Sequence, residues 1–198
     1  MRNVVSRTRH PRLLAVCATA LGIACFGQAL WIHAKAEVAQ VLIETAWERT
    51  LARPDQPQKP WSWADTWPVA RLQWHGKDAA EDLYVLAGAS GSTLAFGPGQ
   101  LNGTAAIGEG ASVIAGHRDT HFAFLRELEH GSELRLQNAS GEHFVYRVED
   151  LQVKDASIEP LLIDPTSDTL TLVTCYPFDA PLPGGPLRYV VTALRYEF

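Results

Sequence analysis

Twenty consecutive residues, Leu13–Ile32, carry no charge, and the segment before them is basic. Arg2, Arg7, Arg9 and Arg12 precede the run, and no acid appears before Glu37. A helix of that length spans about 30 Å, the thickness of a bilayer's hydrocarbon core. Gln28 is its most polar member and sits near one end, close to Trp31. A basic flank before an apolar span reads as a cytoplasmic N-terminus and an extracytoplasmic remainder. The competing reading is a cleaved signal peptide, because Ala34-Lys35-Ala36 has the small-x-small form of a cleavage site. The run is long for a signal peptide, and a lysine inside the site is awkward. Either reading exports the rest of the chain.

The span also settles how the three cysteines are read. Cys17 and Cys25 fall within it, as small apolar residues. Cys175 is then the sole exported cysteine, with no partner for an intrachain disulfide. An unpaired thiol in an oxidising compartment needs a reason, either burial or use. The chain of 198 residues is 46% hydrophobic and 20% charged, which excludes a disordered chain. Its net charge of -5 argues against a general nucleic-acid binder.

Residues Glu37 to Leu51 read as a helix continuing outward, with Val38, Val41, Leu42, Thr45 and Leu51 on one face and Glu44 and Glu48 on another. Pro54, Pro57 and Pro60 end it. Trp61, Trp63 and Trp67, set among Pro60 and Pro68, read as an extended strap that packs its indoles on a body, as a lid or membrane belt or as plain packing. Beyond Val69 the chain reads as short strands at Ala70–Trp74, Leu83–Ala87, Ser112–Ala115, Glu133–Gln137, His143–Val153, Thr169–Thr174 and Leu187–Tyr196. Gly, Pro, Asn and Asp turns separate them, and one short helix is expected at Phe122–Leu128. About 130 residues so patterned predict one closed β-barrel or a sandwich. The expected divisions are a basic tail at 1–12, an anchor at 13–32, a helix and strap at 33–69 and the barrel at 70–198.

Three strand ends carry reactive side chains. The apolar strand Ser112–Ala115 stops at Gly116 and presents His117. An alternating strand ends at Cys175, ahead of Pro177. A glycine turn feeds Arg188 into the start of another strand. The spacing from Cys175 to Arg188 suits a loop joining antiparallel neighbours, which puts both on one rim. A thiolate is a nucleophile, imidazole exchanges protons near neutral pH, and guanidinium donates hydrogen bonds to a developing oxyanion. Together they fit acyl transfer through a thioester.

The segments Ala105–Arg118, Thr171-Leu172-Val173-Thr174-Cys175 and Leu187–Val191 resemble the sortase family. The second matches the family's TLxTC signature, with the histidine upstream and the arginine downstream. Ala95–Gly99, His117–Phe122, Cys175–Asp179 and Pro183–Pro186 are most similar to the proteobacterial group called class GN sortases. The resemblance implies an all-β, eight-stranded barrel behind a transmembrane anchor, held in the inner membrane with the barrel in the periplasm. It implies a cysteine transpeptidase. Cys175 would attack the Thr–Gly carbonyl of an LPxTG-like C-terminal sorting signal on a substrate protein. His117 would protonate the departing amine, and Arg188 would hold the carbonyl. Thr174 would support substrate or oxyanion. An amine acceptor, such as peptidoglycan, would resolve the thioester. Some sortases use calcium through acidic clusters; Glu109 stands alone, so neither metal nor cofactor is expected.

The remaining candidates read more plainly. His121 has no convincing third ligand for a metal site. Asp119 is a turn residue or an orienter of His117, and Asn138-Ala139-Ser140 reads as a hairpin turn rather than a glycosylation site. Other envelope thiol enzymes order their residues differently. L,D-transpeptidases place the histidine shortly before the cysteine, and NlpC/P60-type peptidases place it after. A catalytically silent, membrane-tethered binding barrel is the non-enzymatic alternative.

Overall fold

The computed structural model describes residues 10–75, 80–182 and 184–196. Arg2, Arg7 and Arg9 of the expected basic tail lie outside them. The chain forms two compact units, residues 1–40 and residues 41–198.

The first unit holds most of a long helix, α1 (His10–Ala52). Leu13, Leu14, Val16, Leu21, Ile23 and Phe26 are each at least 64% exposed. Such uncovered apolar side chains, on a helix of sufficient length, meet the requirement for crossing a bilayer. The Lys35 ammonium lies 5.0 Å from the Trp31 ring, so an aromatic and a cation meet at the end of the uncharged run.

The second unit opens with the last turns of α1. Their buried face is Ile43, Ala46, Trp47 and Thr50, at helical spacing. The expected face was wrong: Val41 is 60% exposed, and Leu42 and Leu51 are also open. The larger Trp47 decides the matter, because it lies against Tyr84 at 6.4 Å between ring centres. Burial, and next the charge of Glu44, raise the Tyr84 phenol above its usual range.

Eight strands complete the unit: β1 (Pro68–His75), β2 (Ala80–Ala87), β3 (Gly99–Gln100), β4 (Ser112–Ala115), β5 (Glu133–Asn138), β6 (His143–Asp155), β7 (Thr169–Cys175) and β8 (Leu187–Tyr196). They close a barrel in the order β1-β2-β3-β4-β7-β8-β6-β5, with β5 pairing back on β1. Closure leaves no free sheet edge. Neighbours are antiparallel except β2 with β3 and β4 with β7. The short α2 (Gly91–Leu94) and the two residues of β3 were not expected, and the expected helix at Phe122–Leu128 is a 3-10 turn at Ala123–Glu127.

Period-two alternation fills the barrel. Leu170 and Leu172 of β7 point inward, as do Leu134 and Leu136 of β5 and Tyr146 and Val148 of β6, and all are almost fully buried. Each such aliphatic side chain contributes roughly 1.5–3 kcal/mol of burial. At the far end of β5, the Asn138 amide donates to Glu142 and its Oδ1 accepts from the Glu142 N–H, which closes the expected hairpin turn. The tryptophan strap packs only in part. Trp61 meets Phe96 edge-on at 5.1 Å, and the Thr66 hydroxyl donates to the Ala87 carbonyl at 2.8 Å. Trp63, against expectation, is 83% exposed.

Candidate active site

The register of three adjacent strands gathers the candidate residues. Cys175, the last residue of β7, is the direct partner of Arg188 near the start of β8. β4 runs parallel to β7 with Ala115 opposite Val173, and the Gly116 N–H donates to the Val173 carbonyl at 3.1 Å. His117, two residues beyond Ala115, therefore leaves its strand level with Cys175, two residues beyond Val173.

Alternation decides which way the side chains face. Leu170, Leu172 and Thr174 are buried inside the barrel, so Thr171, Val173 and Cys175 face its outer wall. Arg188 shares that face as the cross-strand partner of Cys175. His117 is exposed, and Cys175 and Arg188 are half-buried. Thr174 points the other way, and its hydroxyl donates to the Gly116 carbonyl at 2.7 Å, wholly buried. That bond ties the residue before the thiol to the residue before the imidazole. Gly116 is required there, since a Cβ would fall 2.7 Å from Cγ of the buried Phe122.

Among the described residues, Cys175 and His117 have no side-chain hydrogen bond, to each other or to Asp119. Arg188 Nη1 donates to the Gly185 carbonyl at 2.8 Å and to the Leu187 carbonyl at 2.9 Å. Along the same outer wall runs a groove of about 250 Å³. Its lining includes Thr169, Thr171, Val190 and Thr192 of the strands, Leu161 of the β6/β7 loop and the charged Lys154 of β6, but not Cys175.

The sortase domain model matches residues 77–196. The chain belongs to the sortase family. Sortase D of Bacillus subtilis (strain 168) is 32% identical over 116 residues, which is 58% of each chain. The match thus spans little more than half of that curated relative. Sortase A from Corynebacterium diphtheriae is 28% identical with a TM-score of 0.57, over 69% of this chain and 64% of that one. A Clostridium perfringens sortase D5 transpeptidase, 20% identical, shares the fold with a TM-score of 0.61, over 81% of this chain and 99% of its own. The sortase barrel expected from the motifs is thus the observed one.

A larger cavity of about 500 Å³ opens beyond His117, among Trp74, Leu83, His121, Phe124, Arg126 and Glu127. It does not include Cys175. Burial lowers the His121 imidazole from its ordinary value, and the nearby charge of His117 lowers it further, against the smaller opposing pull of Asp119. His121 therefore favours its neutral form. Sequence reasoning gave Arg118 no role of its own. In the sortase fold it is buried at 8% exposure, and Nη2 donates to the Ala180 and Leu182 carbonyls at 2.9 and 3.0 Å. An arginine directly after the histidine was visible in the sequence, but its loop acceptors, more than sixty residues away, were not.

Proposed function

We propose that this chain is a membrane-anchored sortase transpeptidase acting on a protein with an LPxTG-like C-terminal sorting signal. The observation that carries the reading is the shared outer face of Cys175 and Arg188, with His117 leaving the neighbouring strand end at the same level. The groove along β6, β7 and β8 supports it, because threonine hydroxyls beside Val190 and Leu161 suit an extended peptide.

Cys175 attacks the Thr–Gly carbonyl as a thiolate. A C–S bond forms, and the C–N electron pair leaves with the amine, which takes its proton from the His117 imidazolium. Arg188 donates to the substrate carbonyl as negative charge gathers on it. Thr174 acts from inside the barrel, holding the backbone of both strand ends. An acceptor amine then attacks the thioester. A C–N bond forms, the thiolate departs, and the surplus proton passes to neutral His117. Peptidoglycan is an acceptor of suitable chemistry. The basic flank before the apolar run supports an orientation with residues 1–12 cytoplasmic, residues 13–32 as the anchor in the inner membrane and residues 70–198 periplasmic. Tyr176-Pro177-Phe178-Asp179 and the Gly184-Gly185-Pro186 turn support the class GN assignment.

Mass spectrometry of the chain with LPxTG-like peptides tests the reading. A thioester adduct on Cys175, lost in Cys175→Ala, is expected. No adduct across a panel of such peptides refutes the substrate class, and an adduct that survives Cys175→Ala refutes the nucleophile.

A further inference from the structure

The loop between β7 and β8, described at residues 176–182 and 184–186, directly follows Cys175 and ends two residues before Arg188. Its first residues are held, because Tyr176 and Phe178 pack their rings on Tyr189 and Pro177 and Pro181 restrict the backbone; the glycine pair that follows is freer. Gly184 and Gly185 take positive φ, and Leu182 is 75% exposed. Its conformation nonetheless bears on the approach to both residues, so what holds it matters.

Two arginines reach it from the segment that follows β4. Arg126 meets Asp179 at 3.5 Å and lies 5.1 Å from the centre of the Phe178 ring. Both partners of that ion pair are open to water, with Asp179 at 91%, and such pairs contribute little. Arg118 differs in kind. It is buried, its charge is permanent, and it donates from one nitrogen to two loop carbonyls, Ala180 and Leu182. It also directly follows His117, whose carbonyl accepts from the Phe122 N–H at 2.9 Å. A rigid backbone therefore stands on one side of the guanidinium and a glycine-ended loop on the other.

We infer that Arg118 is a positioning residue, a latch that fixes residues 180–182 to the backbone presenting His117 before substrate arrives. The inference rests on the reading of His117, Cys175 and Arg188 as the catalytic set. Arg118 itself touches no reacting atom. It acts by keeping the loop in one arrangement, so that the thiol, the imidazole and the guanidinium meet the peptide without reorganisation.

The test uses the full chain in detergent micelles, as wild type, Arg118→Gln and Arg118→Lys. Amide hydrogen exchange in residues 178–182, iodoacetamide alkylation of Cys175 read by peptide mass spectrometry, and kcat and KM on an LPxTG-like peptide are measured. Arg118→Gln is expected to raise loop exchange at least about tenfold. It is expected to speed alkylation, and to lower kcat about 10- to 100-fold with KM held within about threefold. Lysine, a point donor that reaches one carbonyl at a time, is expected to fall between the two in exchange and kcat. Unchanged loop exchange in Arg118→Gln overturns the latch. So does a kcat loss explained wholly by the unfolded fraction. Should Arg118→Gln not fold, Arg118→Lys decides, and its equality with wild type in exchange and kcat overturns the inference. A wild type that leaves the peptide untouched refutes the catalytic reading instead, while exchange and alkylation still judge the latch.

Discussion

Replacing Gly116 by alanine tests the packing that presents His117. The added methyl lands 2.7, 2.8 and 3.0 Å from three ring carbons of Phe122. Ordinary contact begins near 3.4 Å, so something must move by roughly half an ångström or more. Phe122 is fully buried and packs edge-on against Phe124 at 5.9 Å between ring centres, so its ring has nowhere to go. The backbone at 116 yields instead, carrying His117 with it and straining the Thr174 bond to the Gly116 carbonyl. Overpacking of this kind costs about 1–3 kcal/mol. For a domain of this size that lowers Tm by about 2–12 °C. Displacing the imidazole by a fraction of an ångström to an ångström lowers the rate of thioester formation by up to about 100-fold. Thermal unfolding and single-turnover acylation measure the two effects. A second substitution, Phe122→Ala, removes all three ring carbons that clash, so Gly116→Ala must cost less in that background. Equal cost in both backgrounds, or a Gly116→Ala chain with wild-type Tm and acylation, refutes the reasoning.

Two pH dependences arise from buried rings. Burial, and next the Asp168 charge, push the Tyr146 phenol from 10.0 up to about 12, so the folded state holds its proton where the unfolded state loses it. Stability is complete below pH 10 and falls as pH rises, by up to about 1.4 kcal/mol per pH unit from this group. Tyr146→Phe is expected to lose that share of the slope in urea titrations between pH 9 and 11, while Tyr84 and Tyr189 keep theirs; an unaltered slope contradicts it. His121 has the opposite sign. Its folded imidazole binds a proton less readily than the unfolded one at 6.5, so its contribution is intact above that value and lost as pH falls through and below it. His121→Gln is expected to flatten the decline of Tm between about pH 7 and 5, and a decline as steep as wild type speaks against the burial argument.

Much of the barrel was legible because its strands alternate and end at glycine. Ser112–Ala115, bounded by Gly116, and Leu187–Tyr196, behind Gly184 and Gly185, were read with their observed limits. β3 was not, because a two-residue strand has no pattern of its own; it exists through its partners β2 and β4. The buried face of α1 was misread for a related reason. Val41 and Leu42 look as apolar as Ile43 and Trp47, and only the position of β2 distinguishes them. At the candidate site, the strand-end positions of His117, Cys175 and Arg188 could be read locally. The Thr174 bond to Gly116 and the Arg118 contacts with the β7/β8 loop join residues about sixty positions apart, and no local rule predicts such pairs.

The parallel pairing of β4 with β7 frees the site from the chain that connects them. That chain passes through β5 and β6 on its way from His117 to Cys175, yet none of the path measures the distance between them. The separation is set by peptide hydrogen bonds between neighbouring strands, a ruler whose divisions are about 4.8 Å and do not stretch. The intervening hairpin at residues 139–142 can thereby lengthen or shorten over evolution without retuning the chemistry. A chain opened at that hairpin and rejoined elsewhere would still bring imidazole and thiol to the same spacing.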